Sequence, residues 1–309
     1  MTSLSVQQIK WQKLGLIFAP DRNYSWMVSH AANPVAELLG GSLVRIYFGC
    51  RDKENRTNIG FVKVDLEKPQ KILEISSEPQ LTPGEPGYFD DSGVSLGCVL
   101  DSGDGRKSLY YLGWNLAKTV PWRNTIGLAI MSRPDAGFEK FRTVPILDRS
   151  VEDPLTMTYP WVIRDKEKWR MWYGSNKCWV GAPHDFIHSL RYAESEDGIH
   201  WMRFPGEVLP LNEPDEYLMC RPCILKNGNL YQMWYSYRGE YYKIGYSESE
   251  DGRHWKRLDD IGGLDRSENG WDSECVEYAS VFDCQGQRFM LYNGNGFGES
   301  GFGLAVMQQ

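Results

Sequence analysis

Several common signatures are missing from this chain of 309 residues. It has no run of eighteen consecutive apolar residues, which excludes a membrane-spanning helix. The first twenty residues, MTSLSVQQIKWQKLGLIFAP, hold no sustained apolar core of the kind a secretory signal needs. Lys and Arg (34) are outnumbered by Asp and Glu (41), and the net charge of −7 argues against a nucleic-acid partner, because phosphate contacts need clustered cations. The seven cysteines are odd in number and scattered, so reduced, buried thiols and a cytoplasmic setting are expected. Cys220-Arg-Pro-Cys223 has the spacing of a metal knuckle. On a strand, however, positions i and i+3 point to opposite faces, and no second Cys or His pair completes it. No metal and no cofactor are therefore expected. A Gly-x-Ser-x-Gly elbow is absent, and no spacing assembles a Ser–His–Asp triad. The glycine-rich run at 293–301 opens no helix and reads as a loop.

Glycine and aromatic residues, by contrast, are abundant: 31 Gly beside 12 Trp, 17 Tyr and 12 Phe. Aromatics suit half-buried pleated surfaces and Gly suits tight turns, so many short strands are expected. A repeat organises them. Tyr192-Ala-Glu-Ser-Glu-Asp-Gly-Ile-His-Trp201 and Tyr246-Ser-Glu-Ser-Glu-Asp-Gly-Arg-His-Trp255 stand 54 positions apart (246 − 192). Weaker copies of the same strand start place Gly60, Gly127, Arg191, Gly245 and Gly303 in one column. Upstream of each lies an aromatic strand, at 45–49, 109–113, 170–174, 232–236 and 289–293. Further upstream a third apolar strand starts near Asn33-Pro34, Ser92-Gly93, Tyr159-Pro160, Arg221-Pro222 and Tyr278-Ala279.

Three strand positions keeping step predict an all-β, five-bladed β-propeller in a single domain, 1–309. The blades fall at about 26–66, 88–142, 156–205, 217–259 and 273–309. The last blade runs out of chain, so an N-terminal strand at about 12–20 is expected to complete it and close the ring.

In an antiparallel meander, the start of the first strand and the end of the second share one end of the barrel. The Glu-Asp-Gly-x-His-Trp turns belong to the opposite end, where Asp and Gly make the reversal, Trp packs between blades, and His200 and His254 go with the turn. At the functional end a polar column recurs three residues after the aromatic of each second strand: Arg51, Asn115, Asn176, Arg238 and Asn295. Turn chemistry explains Asn but not Arg, so these side chains are expected to face a shared central pocket.

With its five repeats, its x-Pro strand starts and its Tyr-x-x-Ser-x-Asp-Gly-x-x-Trp signature, the chain resembles the glycoside hydrolase superfamily containing families 32, 43, 62 and 68. The turns are also similar to the sialidase Asp box, one residue shorter. The resemblance implies catalytic carboxylates at the inner strand starts, an Asp before Pro and a Glu as general acid. At those positions this chain carries Asn33, with His30 three residues earlier, then Tyr159 and Arg221. Asp153-Pro154 sits six residues too early, and Glu274-Cys275 matches the family 32 Glu-Cys pair but in blade five.

Carboxylates do appear one step earlier, as Asp90 and Asp91 in blade two and Glu274 and Glu277 in blade five. One from each pair is expected to share acid/base work across the pocket, which needs about 5–9.5 Å between them. The expected ligand is a small molecule or oligosaccharide. His30, Asn33, Asn115, Tyr159, Asn176, Tyr278 and Asn295 would contact it, and Arg51, Arg221 and Arg238 would grip an anionic group. Arg221 and Arg238 end paired strands, so they are expected side by side with the anion between them. Trp114 and Trp122 are among the aromatics available to stack on a sugar face.

The expected activity is thus that of a glycosidase-like enzyme on a small acidic or phosphorylated sugar conjugate. Tyr159 or Tyr278 as nucleophile is a variant of it. The alternative is a sugar- or nucleotide-sugar-binding protein without hydrolysis, since the pre-Pro carboxylates are missing.

Overall fold

The computed structural model describes residues 9–20, 22–102, 106–133, 135–180, 186–212 and 214–308. β1 (Lys10–Phe18) opens the chain. The first repeat follows as β2 (Ser29–Gly40), β3 (Leu43–Arg51), β4 (Thr57–Asp65) and β5 (Ile72–Ile75). The second is β6 (Gly93–Asp101), β7 (Lys107–Leu116), β8 (Trp122–Met131) and β9 (Glu139–Lys140). The third is β10 (Met157–Asp165), β11 (Lys168–Trp179), β12 (Phe186–Ser195) and β13 (Met202–Phe204). The fourth is β14 (Leu218–Asn227), β15 (Leu230–Arg238), β16 (Tyr242–Ser249) and β17 (Lys256–Arg257), followed by α1 (Asp259–Gly262). The fifth is β18 (Glu277–Cys284), β19 (Gln287–Asn293) and β20 (Phe302–Gln308). Each repeat is an antiparallel meander whose middle strands are almost wholly buried.

The sheets correct the expected five-bladed ring closed by an N-terminal strand. Among the described residues, hydrogen bonding makes three open sheets, one of four strands and two of eight, and none closes on itself. Single parallel bridges, Thr57 to Gly93 and His188 to Leu218, fuse repeats one with two and three with four. The fifth repeat forms the four-stranded sheet β1-β20-β19-β18, in which β1 lies antiparallel to β20 and leaves two free edges. What gathers the repeats is side-chain packing. The inner strands β2, β6, β10, β14 and β18 pack on one another in chain order about a common cavity, and β18 packs against β2.

The glycine column has a steric cause. An added Cβ would stand 2.3 Å from the Trp26 ring at Gly60, 2.3 Å from Tyr111 at Gly127, 2.7 Å from Tyr235 at Gly245 and 2.4 Å from Trp271 at Gly303. In the third repeat the same position is Arg191, which forms an ion pair with Asp153.

The aromatic beside that column carries a second constraint. Buried Tyr hydroxyls donate to a carboxylate in every repeat: Tyr47 to Glu37 (2.8 Å), Tyr111 to Asp90 (2.9 Å), Tyr173 to Asp153 (2.7 Å), Tyr235 to Asp259 (2.7 Å) and Tyr292 to Asp272 (3.1 Å). A cation balances each carboxylate: Arg45, Lys140, Arg203, Arg257 and Lys13 respectively.

The Asp-Gly turns are structural. Ser195 bonds Asp197 and the Gly198 N–H, while Asp197 accepts from the Ile199 and His200 N–H groups; Ser249 and Asp251 repeat the pattern. Trp201 packs edge-on to Tyr110, and Trp255 to Trp172, one repeat back in each case.

All seven cysteines are free and five are buried. Among the described residues, no helix is long and apolar enough to cross a membrane.

Asp153 is the most heavily used of the five carboxylates, taking Tyr173, Ser175, Arg191 and Arg203. Asp153→Ala leaves the buried Tyr173 phenol and Ser175 hydroxyl without their acceptor and takes the carboxylate from half-buried Arg191 and Arg203, and urea denaturation should show a loss of about 3 kcal/mol.

Candidate functional site

Each inner strand slips register at a matching place: between Ala32 and Val35, Leu96 and Cys98, Thr158 and Trp161, Cys220 and Cys223, and Glu277 and Ser280; β2 slips twice more, between Ser29 and Ala32 and between Leu38 and Gly40. Such a bulge inserts a residue and re-aims its side chain. Asn33, Tyr159, Arg221 and Tyr278 occupy these bulges in the left-handed region, with φ of 54°, 41°, 53° and 58°. A non-glycine residue held there costs about 1 kcal/mol or more, and such strain is characteristic of sites. Pro34, Pro160 and Pro222 follow three of them and fix the next φ.

The bulges border a cavity of about 600 Å³. His30, Asn33 and Arg51 come from the first repeat, Tyr159 and Asn176 from the third, Arg238 from the fourth and Tyr278 from the fifth. Asn124, Thr158, His188, Cys220 and Tyr242 also line it, as does an apolar group containing Leu112, Trp114, Leu116, Trp122 and Phe186. No Asp or Glu is among the described lining residues.

The cations in the wall are short of partners. The Arg238 guanidinium lies 5.1 Å from the Tyr242 ring centre and 5.7 Å from Tyr217, and its buried Nε has no hydrogen-bond partner. Arg51 donates to Asn55 (3.0 Å). His30 is not a third cation: burial, then the charge of Arg51, lowers its pKa to about 4, so the ring is neutral at pH 7. Burial also lowers His188 to about 4, and its two nitrogens are taken by Thr158 Oγ1 and the Met219 carbonyl.

The other residues expected at the site are placed elsewhere. Asp90 is buried under the second repeat, held by Tyr111 and Lys140. Asp91 closes a turn. Burial pushes its pKa up, but bonds from the Gly87 N–H, Asn115 and Ser92 outweigh that and hold it below the usual carboxylate range. Asn115 is committed to Asp91 and the Tyr88 carbonyl. Asn295 accepts from the Glu274 N–H and donates to Gly270 O, and the Glu274 side chain is exposed.

Arg221 does not form a clamp with Arg238. Fully buried, it donates to the Gly97 and Asn33 carbonyls and lies over Trp161, tying three inner strands together. Among the described residues neither arginine has a carboxylate hydrogen-bonded to it, and the Nε of each is without a partner.

Glu277 is the exception among the four carboxylates. It is fully buried, next to Tyr278 in the chain, and among the described residues neither carboxylate oxygen is paired with a side chain; the backbone N–H of Phe297 favours its charged form. Burial raises its pKa well above 4.5 and outweighs the opposing charge of Arg238 and the Phe297 N–H, so it is held as the neutral acid. Cavity-lining Cys220, Tyr242 and Tyr278 are its electrostatic neighbours.

A further column escaped the sequence reading. Thr57, Asn124, His188 and Tyr242 all line the cavity, and each stands three residues before Gly60, Gly127, Arg191 or Gly245. That spacing was the available signal.

No family model matches the chain. Over 298 residues, 96% of this chain and 99% of the relative, it is 49% identical to "Uncharacterized protein MT1551" of Mycobacterium tuberculosis (strain CDC 1551 / Oshkosh). The chain belongs to the family of that mycobacterial protein. Among solved structures it is similar to a "Glycoside hydrolase", with TM-score 0.76 and 18% identity over 97% of this chain and 92% of the other. It is also similar to a structure from work on the GH130 family, described as mannoside phosphorylases that contain glycoside hydrolases targeting β-1,2 mannosidic linkages in Candida mannan. That match has TM-score 0.75 and 12% identity over 98% of this chain and 94% of the other. At such identities these likenesses establish the fold, which is the propeller-like fold of glycosidases.

The neutral Glu277 has a pH signature. Above pH 4.5 the unfolded chain releases a proton that the folded state keeps, so stability falls as pH rises from 4.5 toward the raised folded value. Glu277→Gln removes this fall. In urea denaturation the variant should be more stable than wild type at pH 8, with the gap shrinking toward pH 4.

Proposed function

We propose that the protein is a glycosidase-like enzyme acting on a small sugar conjugate that carries an anionic group. The observation that carries this reading is a cavity bordered by Arg51 and Arg238, with no Asp or Glu among its described lining residues. An under-partnered guanidinium in a half-enclosed wall favours an anion, and charge-assisted bonds to it contribute about 1.5–3 kcal/mol each. Asn33, Asn124 and Asn176 supply neutral donors and acceptors for sugar hydroxyls. The glycosidase-like fold supports a carbohydrate as the ligand.

In this reading Glu277, kept protonated by burial, is the proton source. The glycosidic C–O bond breaks, a proton passes from Glu277 through a cavity-lining phenol to the departing oxygen, and water adds to the anomeric carbon, its spare proton returning by the same route to the Glu277 carboxylate. Asp90 and Asp91 take no part, being bound elsewhere.

A second reading is a sugar- or nucleotide-sugar-binding protein without hydrolysis. It is favoured by the missing partner carboxylate, since cleavage of this kind commonly uses two.

Calorimetric titration with hexose 1-phosphates and with the matching neutral hexoses tests the anion. The phosphates should bind and the neutral sugars should bind far more weakly. Arg238→Gln should weaken phosphate binding at least about tenfold, the equivalent of one charge-assisted bond. Equal binding of both series, with no effect of Arg238→Gln, would overturn the reading. Proton NMR of the bound conjugate then separates the two functions: a new free anomeric signal marks the enzyme, and an intact linkage marks the binding protein.

A further inference from the structure

The apolar residues of the cavity are gathered on one side. Leu112, Trp114 and Leu116 are two apart on β7, so they share a face, and all three line the cavity. Leu112 is 4% exposed and Leu116 is 73% exposed, so the row climbs from an enclosed floor to an open rim. Trp122 on β8 sits opposite Leu116 in register. Phe186 on β12 meets Trp122 edge-on, with ring centres 5.9 Å apart. Arg51 and Arg238 stand on other repeats, one and four.

This wall does not suit a sugar. A sugar ring needs one flat aromatic face and hydrogen-bonding groups around it. Branched leucines at both ends of a row offer neither. Leucine left 73% exposed at the mouth of a cavity is apolar surface awaiting cover. From Leu112 to Leu116 the row runs about 13 Å, at about 3.3 Å per residue. Its length and its floor-to-rim course match an unbranched hydrocarbon leaving the pocket.

We infer that the aglycone of the conjugate is a hydrocarbon chain, laid along Leu112, Trp114 and Leu116 against Trp122 and Phe186, with the anionic sugar end turned toward Arg51 and Arg238. This rests on the anionic-sugar reading of the same cavity and adds the substrate class to it. The ligand is amphiphilic, and its two halves are recognised by different repeats.

The test compares glucose, mannose and galactose 1-phosphates with their methyl and octyl phosphodiesters, by calorimetry below the micelle concentration. For whichever sugar binds, the octyl diester should bind at least about tenfold tighter than the methyl diester, since each methylene removed from water is worth up to about fourfold. Leu116→Ser and Trp122→Ser should each pull the octyl-to-methyl ratio toward one, whereas Arg238→Gln should weaken both diesters and keep their ratio. Equal affinity of the methyl and octyl diesters in the wild-type protein overturns the hydrocarbon inference and leaves the anionic-sugar reading standing. An octyl advantage that survives both Leu116→Ser and Trp122→Ser overturns it as well. Failure of all nine compounds to bind overturns both readings together.

Discussion

The buried tyrosine that donates to a carboxylate, itself held by a cation, is the contact on which the architecture rests. It recurs in all five repeats although the residues supplying it differ. A carboxylate taken out of water is tolerated only with full compensation, and here a phenol and a cation provide it. The partners come from distant points of the chain: Lys13 on β1 serves Asp272, and Arg257 after β16 serves both Asp259 and Glu216. Each unit is therefore fastened by groups that converge only when its strands are in register. The glycine column belongs to the same device, because Gly127 and Gly245 make room for the tyrosines that donate.

The device also accounts for the chemistry of the cavity. Acidic residues just ahead of the inner strands, Asp90, Asp153 and Asp272, are drawn under the sheets by their tyrosines and cations. The inner bulges then present Asn33, Tyr159 and Tyr278 to the centre, while Arg221 braces three strands from below. What faces the cavity is two guanidiniums, neutral imidazoles, amides and phenols, with one protonated acid outside its lining. Negative charge is kept out of the cavity wall by its use in holding the wall up.

The repeat was legible because it rests on steric necessity. Gly60, Gly127, Gly245 and Gly303 each lie against an aromatic ring, and no larger residue fits. Arg51, Asn176 and Arg238 were legible as cavity residues because strand ends at one end of a meander share a fate. Asn115 and Asn295 occupy the same column, yet their short amides are captured by local carbonyls and N–H groups, a choice that spacing does not encode. Asp90 read as catalytic because a carboxylate before an inner strand looks the same whether it faces inward or lies under Tyr111. Arg221 and Arg238 are neighbours along a hairpin, but the bulge at Arg221 turns its side chain under the cavity and away from its mouth. The sheets differed from the expected ring because single parallel bridges join the third strand of one repeat to the inner strand of the next, β4 to β6 and β12 to β14, and a repeat pattern does not encode them.

The pairing of β1 with β20 places Lys10 opposite Gln308. During synthesis β1 must therefore wait for β20. Until then β1 and the cation on Lys13 are uncommitted, and the fifth unit lacks both an edge strand and a counter-charge. Joining ends so far apart carries a loop-closure entropy that grows only slowly with length, so the final step is set less by thermodynamics than by the time a bare strand stays exposed. An unfinished chain offers β1 as an edge to any other strand nearby. Translation speed through the last repeat thus becomes a determinant of how much protein folds alone.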